Sequence, residues 1–397
     1  MNQISQRIAA LSPSATLAMS QKSAELKAAG VDVINMSVGE PDFDTPDFIK
    51  EAAKKAIDDN FSRYTPVPGY MTLRKAIAAK LLRENGIEFA PEQIVVGNGA
   101  KQELCNVILA TINPGDEVII PVPAWVSYVE MVKLAEGVTV EVYAGVDQDF
   151  KITPEQLEKA ITPKTRMIML NSPSNPTGSI YSREELKGLA DVLAKYPEII
   201  ILADEIYEHI NFIGEVHSIS EFENVRDRVV IINGVSKAYA MTGWRIGYMA
   251  GPLPIAKAVT KLQGQYTSGA SSIAQKAAEA AYDGPQDCVR EMREAFQRRR
   301  DLIVALAREI PGWVVNEPQG AFYLFPEVSS YIGKKAGERE IKSSGDYVMY
   351  LLEEAHVACV DGEAFCAPGY MRLSYATSDD NIREAMHRIK EASAKLK

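Results

Sequence analysis

The chain has 397 residues, 46% of them apolar, and a formal net charge of −10. This length and apolar content exclude a disordered chain and predict two domains, or one large domain with a smaller partner. The acidic balance argues against a nucleic-acid-binding protein, which would carry a basic surface.

Several further classes of protein are disfavoured by simple patterns. No run approaches 18 consecutive apolar residues, so no membrane span is predicted, and residues 1–10 lack a secretory signal pattern, which favours the cytoplasm. The cysteines Cys105, Cys288, Cys359 and Cys366 match no zinc spacing and are predicted to be free thiols. No two histidines stand four residues apart, so no metal site is predicted.

The first part of the chain is predicted to contain an arm, a helix and a short strand before a larger domain begins. Residues 1–12 are polar and are predicted to form an arm. A helix ending at Ala29 and a short strand at 33–36 follow. The turn-rich segment 39–46 is the candidate domain boundary, and helices are predicted at 47–59 and 72–85.

From residue 94, apolar strands alternate with helices. The strands are predicted at 94–96, 117–120, 138–142, 167–170, 199–202, 229–232 and 245–249, and the helices at 101–112, 126–135, 154–161 and 183–195. This alternation is typical of an α/β fold with a mostly parallel seven-stranded sheet between helices. The last strand follows its predecessor too closely for a helical crossover and is predicted to run antiparallel.

The remainder predicts a smaller α+β domain built from both chain ends. Helices are predicted at 254–262 and, as one very long helix, at 271–309. Strands at 313–315, 321–325, 357–360 and 371–374 and helices at 344–355 and 379–396 would follow. The predicted division is an arm at 1–12, a small domain of 13–46 and 290–397, and a large domain of 47–289.

One lysine stands out at a strand end. Ligands of open parallel sheets bind beyond the carboxyl ends of the strands, and Lys237 follows the strand 229–232. A desolvated lysine near a second cation, here Arg245, loses its proton more easily and attacks carbonyls, although an exposed surface lysine is the alternative. Ser236 and Arg245 could also hold a phosphate dianion, and this combination points to pyridoxal phosphate.

Other strand ends supply weaker signals. The segment 97–101, Gly-Asn-Gly-Ala-Lys, opens a helix and suits a phosphate, or is an ordinary turn. Trp125 could stack on a flat ring or belong to the core. Asn175 could bind a ligand oxygen, although Asn-Pro turns are common.

An acidic residue and a phenol follow the strand 199–202. Asp204 comes directly after buried aliphatic residues, where a carboxylate is costly unless paired. It could pair with a protonated pyridine nitrogen or cap a following helix. Tyr207 would lie on the same face of that helix and could bond the ring hydroxyl, or pack as a surface residue.

Taken together, these motifs resemble the class I, fold type one, pyridoxal-phosphate aminotransferases. The resemblance covers essentially the whole chain and rests on Asn171–Gly178, Asp204–Tyr207, Ser236–Gly247 and Met371–Tyr375. It is closest to bacterial aspartate aminotransferases that carry Gly-Ala-Lys-Gln at residues 99–102.

The resemblance implies a role for each motif residue. Lys237 would hold the cofactor covalently and move the substrate α-proton. Cofactor contacts would come from Tyr64, Gly99, Ala100, Lys101, Trp125, Asn175, Asp204, Tyr207, Ser236, Lys237 and Arg245. Substrate contacts would come from Thr16, Gly39, Lys101, Trp125, Asn175 and Arg372. Tyr64 would reach the site of a neighbouring subunit, so the resemblance implies a homodimer.

The implied reaction moves an amino group between aspartate or glutamate and a 2-oxo acid such as 2-oxoglutarate or oxaloacetate, by a ping-pong mechanism. Alternatives on the same fold are a lyase or an aminotransferase for alanine, aromatic amino acids or prephenate. A cofactor-binding transcription regulator is the remaining alternative, but it would need a basic DNA-binding module that the sequence does not suggest.

Overall fold

A central sheet and the helices packed against it dominate the molecule, whose computed structural model describes residues 3–397. The helices are α1 (Gln6–Ala9), α2 (Ala15–Ala28), α3 (Asp47–Asp58), α4 (Met71–Asn85), α5 (Ala100–Thr111), α6 (Ser127–Leu134), α7 (Pro154–Ala160), α8 (Arg183–Leu193), α9 (Leu253–Tyr266), α10 (Ser272–Asp283), α11 (Asp287–Ala307), α12 (Ser344–Tyr350) and α13 (Asp379–Ala394). The strands are β1 (Ile34–Asn35), β2 (Ile94–Asn98), β3 (Glu117–Val122), β4 (Val138–Tyr143), β5 (Thr165–Asn171), β6 (Ile200–Asp204), β7 (Val229–Gly234), β8 (Ile246–Ala250), β9 (Tyr323–Leu324), β10 (Lys335–Ala336), β11 (Arg339–Glu340), β12 (Val357–Ala358), β13 (Val360–Asp361) and β14 (Met371–Ser374).

The central sheet has seven strands in the order β2-β8-β7-β6-β5-β3-β4. Strands β3 to β7 pair in parallel, whereas β8 pairs antiparallel with both β2 and β7. The predicted α/β fold with a mostly parallel seven-stranded sheet is therefore confirmed. The antiparallel direction predicted for the last strand is confirmed as well.

Helices cover both faces of this sheet, which explains why its strands are almost continuously apolar. Successive strand residues point to opposite faces. Ile201 and Ile231 pack with residues of α3, α4, α8 and α10. Their neighbours Leu202 and Val230 pack with residues of α5, α6 and α9. The strand ends between these layers are thus held rigidly, and the site is built on them.

A second core lies around α11 and α13. Phe296 of α11 packs there with apolar side chains of β1, β9, β12, β14 and α12, among them Tyr323. Strand β1 pairs in parallel with β12, so the start and the end of the chain meet here. This packing is consistent with the proposed small domain of 13–46 and 290–397, whose boundaries stay a prediction.

The single long helix predicted at 271–309 is wrong. Two helices, α10 and α11, stand there, separated by residues 284–286. Pro285 has no N–H to donate, and its ring disfavours a helical conformation at Gly284, so the first helix ends. The strand predicted at 313–315 is only an isolated bridge between Val314 and Glu327.

Helix composition bears on the question of membranes. Across residues 3–397, every helix is too short or too polar to cross a lipid bilayer.

Candidate active site

A cavity of about 500 Å³ opens at the carboxyl ends of the central strands. Twelve of the residues predicted for the site line it: Thr16, Gly39, Ala100, Lys101, Trp125, Asn175, Asp204, Tyr207, Ser236, Lys237, Arg245 and Arg372. They come from the ends of β3, β5, β6 and β7, from the N-terminus of α5, from the residue before β8, from β14, and from α2 and the segment after β1. The parallel sheet brings them together because its carboxyl ends share one edge.

Lys237 lies inside the cavity just beyond β7. Its Nζ donates a hydrogen bond to the carbonyl oxygen of Gly39 at 2.6 Å. Burial lowers the pKa of this ammonium to about 8; the charge of Glu40 opposes the shift, and Arg372 and Arg245 reinforce it. The amine is therefore more easily deprotonated than an exposed lysine, as a nucleophile or a base requires.

Asp204 is a buried carboxylate at the last position of β6. Its Oδ2 accepts a hydrogen bond from the Tyr128 hydroxyl at 2.6 Å, and its Oδ1 accepts one from the Ile206 N–H at 3.2 Å. Burial raises the pKa of Asp204 to about 6, while these hydrogen bonds and the charge of Lys237 act against the rise. Above that pH the site presents an anion.

Tyr207 follows in a turn, so the helix predicted after Asp204 is wrong. The turn still directs the Tyr207 phenol into the cavity, where its hydroxyl and that of Tyr323 share a hydrogen bond of 2.7 Å. Burial raises the pKa of Tyr207 above its usual range, so the phenol stays protonated near neutral pH. It can donate to an oxygen of a bound ring.

Arg372 is almost fully buried in β14. Its Nη1 donates to Asn175 Oδ1 at 2.9 Å, and its Nη2 donates to the Ser37 carbonyl at 2.7 Å. Its guanidinium carbon lies 4.5 Å from the centroid of the Tyr323 ring. The Nε has no hydrogen-bond partner among residues 3–397, so this fixed cation retains donors for an anion.

At the other end of the cavity, the backbone at Gly247 crosses close to the backbone at the start of α5. A Cβ on Gly99 would lie 2.4 Å from Nη2 of Arg245, and a Cβ on Gly247 would lie 2.1 Å from the backbone nitrogen of Ala100. Arg245 precedes β8 in a left-handed conformation, φ 57°, and not in the strand as predicted. This crossing places the N-terminus of α5 beside a cation and the buried Ser236, an arrangement suited to a phosphate.

Lys101 and Trp125 stand at the mouth of the cavity. The Lys101 ammonium lies 4.6 Å from the centroid of the Trp125 ring. Although the lysine is exposed as a residue, partial loss of water around its ammonium, reinforced by the charge of Arg245, lowers its pKa. Thr16 Oγ1 is buried there without a hydrogen-bond partner in the described chain.

Tyr64 is placed differently from the other candidates. It is 99% exposed and is not among the described residues that line the cavity. Gly99 also is not among the described residues that line it, and it lies so near Arg245 that a Cβ there would meet the guanidinium.

Sequence reasoning missed three side chains. Tyr323 and Tyr128 touch Tyr207 and Asp204, and Asn171 donates from Nδ2 to the Asp204 carbonyl while its Oδ1 accepts from the Asn175 N–H. Asn171 does stand at a strand end, and Tyr128 lies three residues after Trp125, near the start of α6. Tyr323 carries no local signal.

A larger, open cleft of about 1300 Å³ is lined by a different set of residues. It contains Glu84, Glu208 and His209, whose ligating atoms all lie within 4.8 Å of one another. The Lys80 ammonium forms ion pairs with both carboxylates and supplies the positive charge there. We therefore place the chemistry in the smaller cavity, where cations and a nucleophile converge.

Comparisons with known proteins agree with this geometry. The family described as "Aminotransferase class I and II" matches residues 31–389. The chain belongs to this aminotransferase family. An aspartate/prephenate aminotransferase of Nitrosomonas europaea is 50% identical over 97% of this aminotransferase and 98% of that protein. Another so named, from Cereibacter sphaeroides, is 50% identical over 99% of each.

Solved structures give the same result for the fold. The aspartate aminotransferase of Rhizobium meliloti is 44% identical, covers 100% of both chains and has a TM-score of 0.97. The Thermus thermophilus aspartate aminotransferase with maleate is 41% identical, covers 99% of this aminotransferase and 100% of that chain, and has a TM-score of 0.92.

Proposed function

We propose that this aminotransferase uses pyridoxal 5'-phosphate to move the amino group of aspartate or glutamate to a 2-oxo acid such as 2-oxoglutarate or oxaloacetate. The observation that carries the proposal is one cavity that contains a lysine of lowered pKa, Lys237, together with the buried carboxylate of Asp204. The cations Arg245 and Arg372 line the same cavity. The relatives named above act, by their names, on aspartate.

The residues fit pyridoxal phosphate by their chemistry. The phosphate would bind at the N-terminal amides of α5 with Ser236 and Arg245, where Gly99 leaves no room for a side chain. Asp204 is a buried carboxylate suited to a protonated ring nitrogen. Tyr207 and Asn175 would bond the ring oxygen, and Trp125 would stack on the ring. When bound, pyridoxal phosphate supplies an electron sink for the substrate α-carbon.

The protein's own groups would then bind the substrate and move protons. Arg372 would hold the α-carboxylate through its planar pair of donors, beside the backbone of Gly39. The freed Lys237 amine would take the proton from the substrate α-carbon and return it to the cofactor carbon that is bonded to the substrate nitrogen. The Asp204 carboxylate, being an anion, would keep a proton on the ring nitrogen. The buried side chains of Tyr207 and Tyr323 would limit the access of water.

Dicarboxylate preference would come from a second cation. Lys101 lines the same cavity as Arg372 and would bind the distal carboxylate, with Thr16 adding a hydroxyl. A cation in the first turn of a helix opposes the dipole, so its presence there favours a nearby anion. The solved relative bound to maleate, a dicarboxylate, supports this choice.

Prephenate is a second candidate acceptor because two relatives at 50% identity carry it in their names. It also bears two carboxylates and would use the same pair of cations. The identity of the cofactor, the roles of the site residues, the choice of acceptor and the homodimer are all parts of this proposal. The dimer rests on the exposed Tyr64, which would reach the phosphate of the neighbouring site.

The test is transfer of ¹⁵N from labelled aspartate to 2-oxoglutarate, followed by mass spectrometry, with phenylalanine and alanine as competing donors. Labelled glutamate that forms only with pyridoxal phosphate present is the expected result. Transfer from alanine or phenylalanine at a higher kcat/KM than from aspartate would reassign the substrate. Prephenate is tested as acceptor in the same assay.

A further inference from the structure

Tyr128 is buried between two side chains that are proposed to hold the cofactor. It lies in the first turn of α6 and is 2% exposed. Its hydroxyl donates to Asp204 Oδ2 at 2.6 Å, a short distance that is typical of an O–H donor to a carboxylate. The edge of its ring meets the Trp125 indole at 5.4 Å between centroids and 86° between planes.

From this geometry we infer that Tyr128 is a positioning residue, whose hydroxyl keeps the Asp204 carboxylate anionic and oriented toward the ring nitrogen of the cofactor. The inference rests on the proposed function. Tyr128 would act only through Asp204 and would touch neither the substrate nor the reacting atoms.

The direction of the hydrogen bond supports this role. Burial and the neighbouring Asp204 raise the pKa of Tyr128 well above its usual range, so the phenol remains a donor at every working pH. Burial favours the neutral form of Asp204, whereas a hydrogen bond donated to the carboxylate favours the anion. Besides Tyr128, the only hydrogen-bond donor that the described chain offers to this carboxylate is the Ile206 N–H, at 3.2 Å.

The pH dependence follows with a definite sign. Because the hydrogen bond lowers the pKa of Asp204, removing it must raise that pKa further above its ordinary value. A hydrogen bond to a charged group corresponds to roughly one pKa unit or more. In Tyr128→Phe, the acidic limb of the pH profile of kcat/KM should therefore move to higher pH by about one unit.

A binding measurement separates this role from packing. Calorimetry of pyridoxamine 5'-phosphate binding to the apoenzyme at pH 5, where the rise in the Asp204 pKa acts almost in full, should show about tenfold weaker affinity in Tyr128→Phe, which keeps the ring against Trp125. Tyr350→Phe is the control. It removes another buried tyrosine hydroxyl, which donates to the Ala392 carbonyl at 2.9 Å outside the cavity, and should leave the affinity unchanged.

A double-mutant cycle tests whether Tyr128 acts through Asp204. In the Asp204→Asn background the charge is gone, so Tyr128→Phe should weaken pyridoxamine 5'-phosphate binding by less than about threefold. Equal losses in both backgrounds would overturn the inference, and so would a Tyr128→Phe enzyme with wild-type affinity and pH limb. Failure of the wild type to bind the cofactor would instead refute the proposed function.

A second variant guards against misfolding of Tyr128→Phe. Difluorotyrosine incorporated at position 128 keeps the shape but makes the phenol a stronger donor. It should move the acidic limb of kcat/KM to lower pH, opposite to Tyr128→Phe. No shift, or a shift in the same direction as Tyr128→Phe, would contradict the inferred role.

Discussion

At the scale of single residues, burial inside one cavity shifts the pKa values of a lysine and a carboxyl group toward pH 7 from opposite sides. Burial lowers the pKa of Lys237 to about 8 and raises that of Asp204 to about 6. Between these values the carboxylate is charged and part of the lysine is neutral, so a base and an anion coexist. This is the protonation state that the proposed transfer needs.

Asp204→Asn should retain the cofactor and lose most of its activity. The amide carries no charge to hold a proton on the ring nitrogen, so the developing carbanion loses its sink. Steady-state kcat with aspartate, measured alongside the visible spectrum of the bound cofactor, checks this. Near-normal kcat in the variant would mean that Asp204 only orders the turn through the Ile206 N–H.

The same substitution should stabilise the apoenzyme. The pKa of Asp204 is raised from 3.8 to about 6, so its destabilising effect is absent below pH 3.8, grows between those values and is complete above pH 6. Relative to the wild type, Asp204→Asn should gain about 1–3 kcal/mol at pH 8 and markedly less at pH 5. Urea unfolding of both apoenzymes at the two pH values measures this, and a gain that does not depend on pH would contradict it.

Lys101→Ser should reduce kcat/KM for aspartate by roughly ten- to a hundredfold, since one charge-assisted hydrogen bond to the distal carboxylate is lost. Alanine and phenylalanine lack that carboxylate and serve as control substrates, so their kcat/KM should change far less. Steady-state kinetics on the three amino acids decide the point. Equal losses for aspartate and phenylalanine would show that Lys101 does not bind the side-chain carboxylate.

At the scale of elements, sequence reasoning succeeded where one residue pattern determines a local structure. Mostly apolar runs, of which 229–232 is the clearest, predicted the strands of the central sheet, and the strand ends led to Asp204 and Lys237. The helix predicted after Asp204 failed because tertiary contacts hold Tyr207 in a turn. Tyr128 and Tyr323 were missed because their partners are distant in sequence. Tyr128 is 76 residues from Asp204, and Tyr323 is 116 residues from Tyr207.

The start of α5 permits a test of the phosphate end. Gly99→Ala would place a Cβ 2.4 Å from Arg245, so the apoenzyme should bind pyridoxal phosphate at least about tenfold more weakly. Gly115→Ala is the matched control: both glycines have φ +86°, but a Cβ at Gly115 meets nothing within 4 Å. Both variants should lose some stability, and only Gly99→Ala should lose cofactor affinity in a calorimetric titration.

At the scale of the whole molecule, Tyr64 predicts a shared site. A fully exposed tyrosine in a Pro-rich loop is expected to meet a partner subunit. Refolding Tyr64→Ala and Lys237→Ala chains together should yield mixed dimers in which one of two sites is intact, restoring up to about a quarter of wild-type activity. No activity beyond that of the separate variants, or a monomeric active enzyme in light scattering, would contradict the shared site.

The most direct measurement of the central claim is the half-reaction of Lys237→Ala with aspartate, without any acceptor. Loaded wild-type enzyme should convert its visible absorption band to that of pyridoxamine phosphate within one turnover. Lys237→Ala, which lacks both the attachment point and the base, should convert it orders of magnitude more slowly. Conversion by Lys237→Ala at more than a few per cent of the wild-type rate would contradict the assignment of Lys237 and the mechanism built on it.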